Sequence, residues 1–194
     1  MSPTQQERRE TTTTALIAAA RALFAADGFA ATSLDAVVAK AGVTKGALYH
    51  HFTGKRELFA AVFAAEQERL IEAVAAAAAR ESDPWDAFEA GCVSFVEACQ
   101  EPGAQRIFLL DAPAALGWET IRSLESGSME LMLTGIEASI EAGRIDPASP
   151  RQLAHLLFGA ICESAMTVAR APDQDRALRE ATAELRELLR SLAS

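Results

Sequence analysis

The sequence predicts an all-α fold, and three observations carry that reading. Of 194 residues, 42 are alanine, against eight valines, eight isoleucines and one tyrosine. Helix formers therefore abound while strand formers are scarce. Apolar residues recur at spacings of three and four, and prolines and glycines cut the pattern into runs of helix length. With half its residues apolar the chain is no disordered tail, and it is long enough for one domain or two small ones with a buried core.

Residues 1–10 read as a flexible polar N-terminal arm. From the Thr11–Thr14 run to Asp27, residues Leu16, Ile17, Ala20, Leu23 and Phe24 share one helix face, and Gly28 is a natural stop. A short helix follows from Ser33 to Ala41, with Thr32 and Asp35 fitting a capping box, and Gly42 breaks it. A second short helix runs from Thr44, its candidate N-cap, to His50. A longer helix starts near Thr53 or Gly54 and extends toward Arg80. After Asp83-Pro84 comes a helix to Gln100, ended by the Glu101-Pro102-Gly103 turn. A short apolar segment, Arg106 to Asp111, precedes Pro113, and one long helix then ends near Gly143. Pro147 and Pro150 frame a loop. Pro172 separates the last two helices, Arg151 to Arg170 and Asp173 to Leu192, for a total of about nine helices.

The formal net charge of -9 argues, for the chain as a whole, against a nucleic-acid partner. Charge is unevenly spread, however. Residues 1–56 hold seven Lys or Arg against four Asp or Glu, net +3, and residues 57–194 carry the remaining -12. No run of about 18 or more uninterrupted apolar residues predicts a membrane span. The first ten residues hold no apolar signal core, and three cysteines are too few and too odd for a disulfide framework. A cytoplasmic location suits both.

Within the basic head, two short helices meeting at a glycine turn behind a longer first helix have helix-turn-helix geometry, in which the second short helix enters the DNA major groove. That helix reads TKGALYHH. Thr44, Lys45, Gly46, Tyr49 and His50 face outward, while Val43, Ala47, Leu48 and Phe52 can face inward. The outward set is small or hydrogen-bonding, as base-edge and phosphate contacts need. Lys55 at the start of the next helix suits a phosphate, or is simply part of a solvated charge pair with Arg56.

The strings ALIAAARALFAADGFAATSLDAVVAKAGVTKGALYHHF and GKRELFAAVF make residues 14–63 resemble the DNA-binding domain of the TetR family of bacterial transcriptional regulators. One departure is conservative: the family's usual isoleucine-alanine pair in the second helix reads Val38-Ala39. The resemblance implies a three-helix DNA-binding domain over residues 11–56, and a ligand-binding and dimerisation domain over 57–194. It implies a homodimer that binds palindromic double-stranded operator DNA and releases it when a small-molecule effector enters the body. By position it also places Thr32 and Ser33 at the start of the second helix, and Lys55 at the start of the fourth, where phosphate contacts are usual.

The body clusters bulky residues as an apolar ligand cavity would, although each alone also fits plain core. The candidates from the first part of the body are Phe63, Phe88, Cys92, Phe95 and Phe108, with Phe88, Cys92, Phe95 and Cys99 on one helix face. Trp118, Met129, Phe158, Cys162 and Met166 continue the set, with Asp111 and His155 as polar members. Leu178, Ala181, Leu185, Leu188 and Leu192 step by three and four as a packing seam. The preceding helix is apolar most of the way round from Leu153, with Gly159 and Ala160 allowing close approach, so a dimer interface is expected on these two helices. A metal site on His155 and Cys162 lacks further ligands, no cofactor is indicated, and no nucleophile–base–orienter set suggests an enzyme. The competing reading is a helical small-molecule carrier or enzyme whose head is only structural.

Overall fold

The computed structural model describes residues 4–193. Among them no strand occurs, and ten α-helices have five residues or more. These are α1 (Gln5–Ala31), α2 (Leu34–Ala41), α3 (Lys45–His51), α4 (Lys55–Ala78), α5 (Pro84–Ala98), α6 (Ala112–Leu116), α7 (Trp118–Leu124), α8 (Ser126–Glu141), α9 (Pro150–Arg170) and α10 (Gln174–Leu192). A helical turn at Pro102–Ala104 and a π-helical stretch at Gln105–Asp111 complete the set. The single long helix expected before Gly143 is two, α7 and α8, which meet at Glu125.

The arm expected over residues 1–10 is helical from Gln5 onward, and residues 1–3 lie outside the described part. Thr4 and Glu7 form a reciprocal capping box, Thr4 Oγ1 accepting from the Glu7 amide and the Glu7 carboxylate accepting from the Thr4 amide. Strong helix formers, QQERRE, follow that cap, so polarity here marks a solvated helix rather than an arm. Thr11, Thr12 and Thr13 each donate to the carbonyl four residues back. Gly28 adopts a positive φ of 83° and kinks α1 where the stop was expected. The second helix is capped by Ser33, which accepts from the Ala36 amide, and not by a Thr32–Asp35 box. Thr32 is spent on closing α1.

The chain divides into two compact units. The first comprises the residues up to Glu66 together with Pro102–Ile121, and the second comprises Gln67–Glu101 together with Arg122 onward. The division expected after residue 56 thus falls between Glu66 and Gln67, inside α4. The reason is packing: Leu58, Phe59, Val62 and Phe63 on the first half of α4 are fully buried in the core of the first unit. The rings of Phe24, Phe29 and Phe59 meet edge-on or tilted at 4.9–5.9 Å, and Phe63 stacks on Phe108 at 4.3 Å. Segment 102–121 is fastened there as well. Asp111 accepts from the Phe29 amide at 2.7 Å and pairs with Arg106, and an Arg56 guanidinium nitrogen donates to the Leu116 carbonyl.

Glu66, only 2% exposed, is held by Arg21 of α1 through two parallel hydrogen bonds, one from Nε to Oε1 and one from Nη2 to Oε2. In the second unit, Trp85, Phe88, Cys92, Phe95 and Cys99 line the buried face of α5, as the four-three-four spacing required. Met132 and Ile136 of α8, Leu157, Phe158 and Ile161 of α9, and Leu185 and Leu189 of α10 complete that core. By length and composition alone, Gln6–Ala31 and Pro150–Arg170 could cross a membrane. Each nevertheless buries a stripe within its own unit, Leu16, Ala20 and Phe24 in one and Leu157, Ile161 and Ala165 in the other.

Replacing Arg21 strands a buried carboxylate. Arg21→Met should therefore lower unfolding stability by about 3–5 kcal/mol in urea titrations, and adding Glu66→Met should restore most of it. An unchanged midpoint for Arg21→Met contradicts the assignment.

Candidate functional site

In the first unit, α2 and α3 meet at Gly42, which takes the left-handed conformation at φ 67°. Thr44 caps α3 by accepting from the Ala47 amide. Leu48 is fully buried, which anchors the helix and turns the opposite side to solvent. Thr44, Lys45, Gly46, Tyr49 and His50 are all exposed, Tyr49 by 52%. That face is the one the sequence places toward DNA. Lys45 makes a 2.7 Å ion pair with Asp35 of α2, and this carboxylate raises the lysine pKa above its ordinary value. Ser33 is exposed with its hydroxyl oxygen on the Ala36 amide, which leaves its proton to donate.

Two expected phosphate-contacting residues are already engaged. Thr32 is 3% exposed, and its hydroxyl donates to the Gly28 carbonyl at 2.8 Å. Lys55 Nζ donates to the carbonyls of Phe29, Ala30 and Thr32 at 2.8, 3.2 and 2.9 Å, and lies 4.6 Å from the centre of the Phe29 ring. It neutralises the carbonyl-rich end of α1, where a cation is favoured. The sequence signal was real, a cation opening α4, but the acceptor is backbone.

The sequence reading missed Arg8 and Arg9. The first turns of α1 bring them beside His50 and His51, and these four residues with Gln6 and Thr12 line a surface concavity. His51 Nδ1 lies 3.1 Å from Thr13 Oγ1, and burial, aided by His50 and Arg9, pulls the His51 pKa below its ordinary value. The Thr4–Glu7 capping box was the signal that could have placed these arginines on the folded surface.

The second unit holds a partly open cavity of about 240 Å³ between the end of α4 and helices α5, α8 and α9. Of the twelve residues expected to line a ligand site, Phe88, Cys92, Phe95 and Phe158 do so. Leu70, Ile71 and Val74 of α4 and Ser128 and Leu131 of α8 were not foreseen as lining residues. Gly135 lets the Phe88 ring lie against α8, since a Cβ there would come within 2.7 Å of it. Among the described residues, none that carries a charge lines the cavity.

The remaining eight lie elsewhere. Phe63, Phe108, Asp111 and Trp118 belong to the first unit, the two phenylalanines stacked on each other, Asp111 engaged with Phe29 and Arg106, and Trp118 exposed by 68%. His155 is exposed, and Met129, Cys162 and Met166 are half-buried outside the cavity lining. Burial pushes the thiols of Cys92 and Cys162 up to about 12 and raises that of Cys99 as well, so all three stay protonated. Among the described residues no cluster of metal-ligating side chains occurs.

The residues expected at the dimer interface on α10 differ in exposure within the single chain. Leu185 faces inward with Thr182 and Leu189, while Leu188 is 45% exposed and Leu178 and Leu192 are half-buried. On α9, Leu153, Gly159 and Ala160 are half-buried, and Leu156, not singled out before, is 71% exposed.

Residues 16–62 match the family model for bacterial regulatory proteins of the tetR family, and residues 85–192 match a Tetracyclin repressor-like C-terminal domain. The Transposon Tn10 TetC protein of Escherichia coli is 30% identical over 136 residues, which cover 70% of this chain and 67% of that protein. The HTH-type transcriptional regulator SrpR of Pseudomonas putida is 47% identical over 55 residues, only 28% of this chain and 26% of that one. A crystal structure of a TetR-family transcriptional regulator from Pectobacterium atrosepticum superposes with a TM-score of 0.88 at 36% identity, covering 98% of both chains. The FadR transcriptional regulator of Bacillus subtilis, solved in complex with stearoyl-CoA, shares the fold at a TM-score of 0.76 and 19% identity, over 92% of this chain and 97% of that one.

Because Lys55 serves backbone carbonyls, Lys55→Met should lower stability by about 1.5–3 kcal/mol in thermal or urea unfolding. An unchanged stability together with weakened DNA binding would return Lys55 to the phosphate role.

Proposed function

The chain belongs to the TetR family of DNA-binding transcriptional regulators, and we propose that it is a cytoplasmic homodimeric repressor, released from a palindromic operator when a small, largely apolar effector fills the cavity of its second unit. The observation that carries the reading is the exposed face of α3. Thr44, Lys45, Gly46, Tyr49 and His50 project from a helix fixed by a buried Leu48, so contacts to base edges cost little reorganisation. Ser33, Arg8 and Arg9 are the residues available to phosphates. Exposed Leu156 and Leu188, with Gly159, Ala160 and Leu192, offer an apolar surface for a second copy.

Effector control would pass along α4. Glu66 grips Arg21 in the first unit, and the next residue, Gln67, hydrogen-bonds Ser128 in the second. A shift of the cavity-lining part of α4 therefore reaches the DNA-reading unit through one continuous helix. A coupling of about 1–3 kcal/mol between effector and operator suffices for a switch.

Selection of bound genomic fragments followed by mobility shift tests the reading. A specific fragment should be recovered, and Tyr49→Ala should weaken its binding by about 1–3 kcal/mol, roughly five- to 150-fold. No specific fragment, or full binding by Tyr49→Ala, contradicts it.

A further inference from the structure

We propose that the cavity recognises an uncharged apolar molecule bearing one oxygen that accepts a hydrogen bond, such as a substituted phenol or an alcohol of similar size, with Ser128 as the contacting residue and Gln67 as the residue that positions it. The inference rests on the effector-cavity reading above and specifies its ligand class.

Gln67 is a polar side chain only 4% exposed, on the part of α4 that belongs to the second unit. Its Nε2 donates to Ser128 Oγ at 2.5 Å, while its Oε1 is buried and has no hydrogen-bond partner. A buried acceptor left unpaired costs free energy. Being the other arm of the same carboxamide, this oxygen lies next to the Gln67–Ser128 bond. Ser128 lines the cavity. Since its oxygen accepts from Gln67, its own proton remains to be donated. Ser128 thus presents one donor to the cavity, held in place by Gln67, which lies behind the lining, and a neutral oxygen on a ligand is its complement.

The rest of the lining sharpens the class. Thr134 is the other lining hydroxyl, and its proton is committed to the Glu130 carbonyl at 3.0 Å. The Cys92 thiol is held protonated by burial and is therefore a poor nucleophile. Without a lining Lys or Arg nothing neutralises a carboxylate or a phosphate, and without a lining Asp or Glu nothing neutralises an amine. The aromatic walls Phe88, Phe95 and Phe158 suit a ring. The volume of about 240 Å³ exceeds the roughly 150 Å³ that takes a benzene, so a ring with a short alkyl chain fits.

Calorimetric titration of the full-length protein with 4-propylphenol, propylbenzene and 4-propylbenzoate tests the proposal. The phenol should bind about three- to tenfold more tightly than propylbenzene, the worth of a net hydrogen bond. The benzoate should bind most weakly. Ser128→Ala should erase the preference for the phenol while propylbenzene still binds, and Gln67→Leu should reduce it. If Gln67→Leu does not fold, Ser128→Ala decides alone. Equal affinity for phenol and propylbenzene, or preference for the benzoate, overturns the hydroxyl assignment and leaves an apolar effector cavity standing. Binding of none of the three overturns the assignment too, and if operator binding is intact it also removes the small apolar effector from the reading above.

Discussion

The buried carboxylate of Glu66 is the constraint on which the first unit depends. A charge at 2% exposure persists only with a partner that returns what desolvation takes away, and the Arg21 guanidinium does so through two parallel hydrogen bonds. The pair fixes the register between α1 and α4. Leu58, Phe59, Val62 and Phe63 are then locked under α1, and Lys55 reaches the carbonyls at its C-terminal end. With that end closed, Ser33 can begin α2, and α2 and α3 are held by Val37 and Leu48 with their outer sides left to solvent. An ion pair with its carboxylate buried in the core thus helps set the presentation of side chains on the surface.

The second unit has the opposite chemistry. Its cavity is lined by alkyl and aromatic groups, and Ser128, held by the buried Gln67, is one of its few polar lining residues. Because Glu66 and Gln67 are neighbours, the two polar fixtures of α4 lie on either side of one peptide bond.

Much of this was legible in the sequence. The helix-turn-helix head was readable because most signals agreed: Gly28 and Gly42 as stops, Thr44 as a cap, and Leu16, Ala20 and Phe24 buried at period four, with the cap of α2 alone falling one residue later, on Ser33. The face of α5 was readable for the same reason. What failed was partner identity. Lys55 at a helix start is compatible with a phosphate or with another helix's carbonyls, and only the fold brings Phe29 and Thr32 to it. Phe63 and Phe108 have the composition of a cavity wall, but the segment 102–121 packs with the first unit, a long-range choice that spacing along the chain does not encode. On α10, Leu185 and Leu189 pack inside the second unit while the neighbouring Leu188 faces out, a division that the three-four spacing alone does not reveal. Gln67 gave no signal at all, since one glutamine in an amphipathic helix reads as solvated.

The charge arithmetic closes the account. A chain of net charge -9 that binds DNA must do so through a local excess of positive charge, and the +3 of residues 1–56 supplies it, with Arg8, Arg9 and Lys45 at the surface. The most direct measurement is the equilibrium constant for a selected operator as a function of salt. Binding through this head should give a logarithm of the constant that falls linearly with the logarithm of salt concentration, as counterions are released from the contacted phosphates. A constant that is flat or rises with salt would contradict DNA recognition by this surface.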